Sequence, residues 1–303
     1  MVREIPSGDK ENVSRACLFG GVWFWYASEM QHQLAVPSRV AEAPTRSERS
    51  CKLCGAPVSL RHTVDSVSYY HCGSCDFLQN FHWEDHPHVL VAQDAANADA
   101  RERLWPAGDP QEMRAKGWEM LGLMSSPVAW ASRHVHTALK HVPLYEHWYQ
   151  HSARKRFPKL LDFGCGHGTI VSELRKEGFD CIGLDPFSPV DSPHILRVPV
   201  TEANLSVGAL DGIFSIETLE HIPNVLETFR ELHRVLRPGG VQLVQTRRLE
   251  DPDYHRDQDR WFYLREPETH VSIYSETAMR RIAEQTGFRR VRFRGVKFAR
   301  FEK

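Results

Sequence analysis

A mixed α/β fold on a doubly wound, largely parallel sheet is predicted for the carboxyl-terminal half of this chain, preceded by a small four-cysteine module and a helical segment. Three observations carry the prediction. LLDFGCGHGT, at residues 160–169, is a short apolar run that ends in Asp162 and leads into Gly164, Gly166 and Gly168. Such a run suits a buried parallel strand, and the glycines let backbone amides approach a ligand at the strand's carboxyl end. A second unit of the same kind, FDCIGLDPF, places Asp185 at its strand tip, where an acid can accept both hydroxyls of a ribose. Upstream, Cys51-x-x-Cys54 and Cys72-x-x-Cys75 stand 17 residues apart.

Length and composition leave room for more than one module. The 303 residues exceed the ~100–200 of a typical domain. We divide them into a poorly defined segment 1–48, a cysteine module 49–84, a helical connecting or cap segment 85–157 and a catalytic domain 158–303. A net charge of -1 gives no general polyanion-binding field, which argues against nucleic acid as a partner. There is no internal repeat and no low-complexity tract.

Within the first segment, residues 17–27 are apolar and aromatic but number only 11, whereas a membrane span needs about 20. As a signal-peptide core the run has poor flanks, with Glu4, Asp9 and Glu11 upstream. Docking against the body of the protein is expected instead, with no membrane span. Met30 offers an alternative start, and residues 33–50 have a linker-like composition.

In the cysteine module each pair can hold one metal through two sulfurs on a tight turn. Four thiolates complete the tetrahedral shell that Zn²⁺ prefers. TVDSVSYYH between the pairs reads as a hairpin, which makes the module a zinc ribbon. Two disulfides are the alternative. Cys165 and Cys181 lie in a cofactor fold expected in the cytoplasm, and a reducing compartment favours the metal. With four sulfurs the site is closed and its zinc structural. His71 beside the second pair reads as a surface residue.

Residues 81–157 look helical and irregular. His82, His86, His88, His134, His136, His141, His147 and His151 recur there without acid or cysteine partners at matching spacing, and we read no metal site in them. A helix is expected over 130–149.

The catalytic half is laid out in order. The first strand covers 160–163. The first helix covers 167–177, with its amino end at the glycine loop, where free amides and the helix dipole face the cofactor. Strands follow at 181–184, at 195–198 and at 212–216. A helix at 223–236 begins with proline in its first turn. The fifth strand, 241–246, follows a Pro-Gly-Gly turn. Residues 275–286 are amphipathic, with Ala278, Ile282 and Ala283 on one side, and Gly287 closes that helix. The tail RRVRFRGVKFARFEK alternates basic and apolar residues, with Gly295 able to turn it into a hairpin. Its basic residues read as a solvated strand face, with Val291, Phe293, Val296 and Phe298 toward the core.

With RVLRPGG at 234–240, the glycine loop and Asp185 resemble the class I S-adenosylmethionine-dependent methyltransferases. A dinucleotide fingerprint would want a third glycine at Thr169, so the G-x-G-x-G spacing points to this family instead. The resemblance implies a Rossmann-like, seven-stranded sheet with one antiparallel strand near its edge, S-adenosyl-L-methionine as cofactor, and a covering role over the cofactor pocket for the helix at 130–149. It implies that Asp162 orients the loop near the methionine amino group and that Gly164, Cys165, Gly166 and Gly168 line the methionine part. Asp185 would hold the ribose, with Pro186 and Phe187 beside the adenine, and Ser215 would run past the methyl-transfer centre.

SIETLEHIPN carries the densest chemistry. Glu217, Glu220 and His221 are spaced i, i+3, i+4, so one helical turn would set all three on one face. Two carboxylates and an imidazole suit a divalent metal or a general base beside an acceptor. The E-x-x-E-H spacing resembles the polyprenyl-quinone O-methyltransferases and the enzymes that methylate the 3′-terminal ribose of small RNAs. In both the motif ligates a metal, which implies a second divalent ion at Glu217, Glu220 and His221. A metal-free base at His221 is the alternative. His270 would add a group from the substrate side. Residues 247–274 form an insertion whose Trp261 and Tyr263 either touch the acceptor or pack the loop down.

The reading is S-adenosylmethionine-dependent methyl transfer to a small-molecule acceptor, a metabolite or natural-product intermediate, with oxygen favoured over nitrogen or carbon. The alternatives are an RNA methyltransferase and a non-catalytic ribbon protein that keeps a methyltransferase-like shell. Oligomeric state leaves no mark on the sequence.

Overall fold

The computed structural model describes residues 49–86, 107–124 and 158–303, all within one unit that begins at Thr45. The apolar run at 17–27, the covering helix expected at 130–149, and His88, His134, His136, His141, His147 and His151 lie outside these residues.

The ribbon is an antiparallel hairpin of β1 (Ser59–Val64) and β2 (Val67–Cys72). It turns at Asp65 and Ser66, which both take left-handed backbone angles, φ 45° and 70°. This is the geometry a two-residue hairpin turn requires. β3 (Phe77–Gln79) pairs with β2. The short helix α1 (His82–Asp85) and the longer α2 (Pro110–Met124) lead toward the catalytic half.

The main sheet is built from β4 (Lys159–Phe163), β5 (Asp180–Leu184), β6 (Ile195–Leu196), β7 (Leu210–Ile216) and β8 (Leu236–Gln245), all parallel. Helix α3 (Thr169–Lys176) follows β4, and α4 (Val225–Val235) lies between β7 and β8. Beyond them come α5 (Pro252–Asp257), the two-residue strand β9 (Ser272–Ile273), α6 (Glu276–Thr286) and the hairpin of β10 (Arg290–Arg294) and β11 (Phe298–Glu302). The order is β10-β11-β8-β7-β4-β5-β6, and β11 is antiparallel to both of its neighbours. The expected single antiparallel strand near the edge is therefore present.

Both sheet faces are covered, which is what doubly wound means physically. On one side Leu160, Phe214 and Leu243 pack with Ile170 and Leu174 of α3 and with Met120 and Leu121 of α2. On the other, Leu161, Ile213 and Val244 pack with Phe229 and Leu232 of α4 and Met279 and Ile282 of α6. Carboxyl ends of β4, β5 and β7 thus open on one edge between two helical layers, where open α/β sheets bind ligands.

Several expected boundaries shift for local reasons. Helix α3 starts at Thr169, because Gly168 before it is left-handed at φ 67°. Helix α4 starts at Val225 after Asn224, so Pro223 precedes the helix instead of opening it. The Pro-Gly-Gly segment is absorbed into β8, whose register against β7 slips between Leu210 and Gly212. In β11 the deepest residues are Ala299 and Phe301, not Phe298, and Val296 falls in the turn. β11 sits between two strands and buries both faces: Ala299 and Phe301 join one core, while Phe298 packs against the other.

The ribbon is not a separate lobe. β3 pairs with β9 of the catalytic half, with Leu78 opposite Ile273. Cys72, Cys75 and Phe77 share a core with Tyr274, Ala278 and Met279, and the rings of Phe77 and Tyr274 stand 5.3 Å apart. Burying side chains such as these contributes about 1.5–3 kcal/mol each, so the ribbon and α6 stabilise each other.

Candidate active site

The glycine loop is shaped by its own sheet. Gly164 N donates to Leu184 O (2.8 Å), and a side chain at Gly164, φ 78°, would collide with Thr218. A Cβ on Gly168 would collide with Ile195, whereas one on Gly166, φ 52°, would meet nothing within 4 Å. The loop is thus closed behind and open in front of Gly166. Cys165 does not put its sulfur there: Sγ occupies the space above Gly183, so only its backbone faces forward.

Asp185 stands at the tip of β5 and organises the adjoining turn. Its Oδ2 accepts from Gly166 N and its Oδ1 from Phe187 N, both at 2.9 Å. A carboxylate has about four acceptor positions, so capacity remains for ribose hydroxyls. Phe187 is 43% exposed and Pro186 half-buried, as an adenine-facing pair would be. Asp162 lies buried behind the loop, where burial and then the Asp185 charge push its carboxyl up to about 8. A buried acid of this kind fits a cationic partner such as a methionine amino group. Ser215 is buried on β7, and its Oγ finds no hydrogen-bond partner among the described residues.

Beyond β7 the chain does not form the α-helical turn expected for SIETLEHIPN. Glu217 is left-handed at φ 47°, and only Leu219–His221 makes a 3₁₀ turn. The two carboxylates nevertheless converge, because the phenol of Tyr263 gathers them, and the 3₁₀ turn carries His221 beside Glu220. Tyr263 Oη donates to Glu220 Oε1 at 2.5 Å and stands 3.1 Å from Glu217 Oε2 and 2.9 Å from Thr246 Oγ1. Thr246 Oγ1 donates to Glu220 Oε2 (2.9 Å), and Gln245 Nε2 donates to Glu217 Oε1 (3.2 Å). One phenolic proton cannot serve two carboxylates at once. The buried Glu220 takes the phenolic proton at the shorter distance, while Glu217, which is exposed, keeps Gln245 Nε2 as its donor. Burial, and then the Glu217 charge, pushes the Glu220 carboxyl up to about 7.

Two histidines complete the cluster. His221 Nδ1 lies 3.0 Å from Thr269 O, and His270 Nδ1 lies 2.6 Å from Tyr263 O. A carbonyl accepts only, so each Nδ1 carries its proton and the lone pair of each neutral ring is on Nε2. Burial lowers both imidazole pKa values, which keeps the rings neutral. The two ring centres are 4.8 Å apart. Ligand atoms of Glu220, His221 and His270 lie within 4.8 Å of one another. Glu217 is not in that tightest set, whereas His270 is.

Comparison with known proteins places this architecture. The family described as a methyltransferase domain matches residues 94–292. The chain belongs to this family. As an S-adenosylmethionine-dependent methyltransferase it is similar to two curated groups at modest identity. It is 27% identical over 158 residues to a tRNA U34 carboxymethyltransferase of Pseudoalteromonas translucida, covering 45% of this chain and 46% of the relative. It is also 27% identical over 120 residues to a ubiquinone biosynthesis O-methyltransferase of Pseudomonas aeruginosa, covering 34% of this chain and 50% of the relative. The chain thus spans about half the length of the curated relatives it matches. Among solved structures, the 1,6-didemethyltoxoflavin-N1-methyltransferase of Burkholderia thailandensis aligns over 81% of this chain and 99% of its own, at 13% identity and a TM-score of 0.45.

The methyltransferase's ribbon brings the Sγ atoms of Cys51, Cys54, Cys72 and Cys75 within 4.8 Å of one another, with 3.6 Å between Cys54 and Cys72. Tetrahedral zinc with bonds of ~2.3 Å sets sulfurs about 3.8 Å apart, so the donor set fits the ion. Leu53 N points at Cys51 Sγ (3.4 Å), as knuckle amides do. His71 pairs with Asp76 at 2.8 Å and takes no part in the sulfur cluster. In the insertion, Trp261 and Tyr263 are buried and Phe262 is 48% exposed, so the first two pack the loop and the third faces outward. Sequence reasoning passed over Thr246 and Gln245, and it weighed Tyr263 as an acceptor contact or a packing residue, not as the partner of Glu217 and Glu220. Their partners lie far away in the chain, and no local pattern marks them. No helix among the described residues is long and apolar enough to cross a membrane.

Proposed function

We propose that this enzyme methylates a small-molecule acceptor, with oxygen as the favoured atom, at the cluster of Glu217, Glu220, His221 and His270. The observation that carries the reading is the convergence of Glu220, His221 and His270 just beyond β7, the strand paired with β4 and its glycine loop. Bound S-adenosylmethionine supplies an already activated sulfonium methyl. The chain's task is to align the acceptor and to take its proton. In this reading Asp185 holds the ribose, and Gly164, Gly166 and the Cys165 backbone border the methionine part. His221 Nε2 accepts the acceptor's proton, while the Thr269 carbonyl fixes its tautomer. Glu220 and His221, joined by His270, are also the groups that would hold a divalent ion. Cys51, Cys54, Cys72 and Cys75 would hold a structural zinc.

The test uses S-adenosylmethionine labelled in its methyl group, added with purified enzyme to a small-molecule extract of the source organism. A labelled product is expected with the native enzyme, falling roughly 10²–10⁴-fold with His221→Ala. Loss on chelation with the ribbon zinc retained, and return with Mg²⁺, would assign His221 as a ligand. Insensitivity to chelation would assign it as a base. A product formed equally by His221→Ala would remove the cluster from the reaction.

Transfer RNA is the second reading, favoured by the likeness to the tRNA U34 carboxymethyltransferase. Label entering bulk tRNA, and not small molecules, would replace the first reading. Tight binding that collapses at moderate salt would accompany it.

A further inference from the structure

We propose that Asn80 and Tyr69 of the ribbon are positioning residues for the acceptor site, holding the segment that carries His270. The role presupposes the acceptor cluster proposed above. Asn80 ends the ribbon sheet and is fully buried. Its side-chain nitrogen donates to the carbonyls of Pro267 (2.7 Å) and His270 (3.2 Å), and its Oδ1 accepts from His82 N (3.1 Å). Its backbone nitrogen donates to Val271 O (3.1 Å). The Tyr69 hydroxyl, also buried, donates to the same His270 carbonyl at 2.8 Å. Both lone pairs of that carbonyl are therefore taken by ribbon side chains. Trp83 Nε1 adds a bond to Glu268 O (2.6 Å).

The held segment sets both histidines. Thr269 O fixes the His221 ring, the His270 ring follows its own backbone, and Val271 N donates to Glu220 O at 2.8 Å. Packing alone would not need this arrangement. Apolar side chains fill buried space without demanding partners, whereas a satisfied polar network specifies one geometry. The network also reaches the first cysteine pair. Lys52 N donates to Gln79 Oε1 (3.0 Å), and Lys52 Nζ donates to Asn80 O (2.8 Å). A path of bonded groups thus runs from the Cys51–Cys54 turn through Asn80 to His270. The glycine loop is held separately, by Leu184 and Asp185.

The test uses the full chain as purified, with Tyr69→Phe, which removes one oxygen, and Asn80→Asp, which keeps Oδ1 but loses the amide donor. Amide hydrogen exchange over 266–271 should rise roughly tenfold or more in each. The ring-nitrogen resonances of ¹⁵N-labelled His221 and His270 should shift, while S-adenosylmethionine affinity stays within about twofold. Transfer of labelled methyl into the extract should fall with these changes. Unchanged exchange and unchanged ring resonances in the folded variants would overturn the proposal. Should Asn80→Asp fail to fold, Tyr69→Phe carries the test alone. If the rings move and His270→Gln still transfers methyl normally, the positioning stands and the acceptor-site reading is what fails.

Discussion

The hydroxyl of Tyr263 stands 2.5 Å from Oε1 of Glu220, and both side chains are shut away from solvent. This bond joins the insertion after β8 to the 3₁₀ turn after β7, so two loops distant in sequence share one polar centre. Tyr263→Phe should leave Glu220 Oε1 without its donor, at a cost of about 1–3 kcal/mol in stability. Methyl transfer should fall roughly 10–100-fold, as loss of a supporting partner does, with S-adenosylmethionine affinity unchanged. Thermal unfolding, titration calorimetry and labelled-methyl transfer read the three effects. Equal activity in Tyr263→Phe would reduce the phenol to a packing group.

Asp185 should decide cofactor affinity. Its carboxylate already orders Gly166 and Phe187, and in the bound state it would add ribose hydroxyls. Charge-assisted hydrogen bonds are worth about 1.5–3 kcal/mol each. Asp185→Ala is expected to weaken S-adenosylmethionine by at least about tenfold while the far-ultraviolet circular dichroism stays native. Calorimetry that returns the native affinity would rule out the assignment.

The ribbon should carry one zinc per chain. Elemental analysis of fresh protein checks the stoichiometry, and Cys51→Ser with Cys54→Ser should abolish it. Because Cys72, Cys75 and Phe77 share a core with Tyr274 and Met279, loss of the metal should also lower the melting temperature of the whole unit, since metal binding and folding are coupled. A ribbon that melts alone, or cysteines found as disulfides, would contradict this.

What could be read from sequence was local. The glycine loop and Asp185 are legible because both lie within one β4-α3-β5 unit, at the carboxyl ends of neighbouring strands. The four cysteines are legible because two Cys-x-x-Cys pairs are a local pattern, and the hairpin between them brings the pairs together. Glu217, Glu220 and His221 were found by a helical argument that does not hold, since Glu217 is left-handed and only a 3₁₀ turn follows. The two carboxylates meet because Tyr263 and Thr246 bring them together, with His221 carried by the same turn as Glu220, and bonds spanning 17 to 46 residues leave no periodic trace. β9 has two residues, too few to show alternation, yet it fastens the ribbon to the catalytic half. Asn80 carries no motif at all; burial and five bonds give it its place.

Asp162 makes the protein's pH behaviour a reporter of cofactor binding. Burial, reinforced by Asp185, raises its carboxyl from 3.8 to about 8. A raised folded-state pKa means that the native state prefers the protonated acid. Its contribution to stability is complete below about pH 4 and is lost as pH rises through 8. In the absence of cofactor, stability should therefore decline over that window, and Asp162→Asn should flatten the decline. A methionine ammonium placed beside this acid favours the charged form instead. Binding S-adenosylmethionine at pH 7 should then release close to one proton, and affinity should strengthen as pH rises from 6 toward 8. Calorimetry in two buffers of different ionisation enthalpy measures the release directly. It should vanish in Asp162→Asn and shrink above pH 9, where the acid is already charged. Heats that do not depend on the buffer at pH 7 would mean that Asp162 keeps its proton throughout, and that the amino group is bound elsewhere.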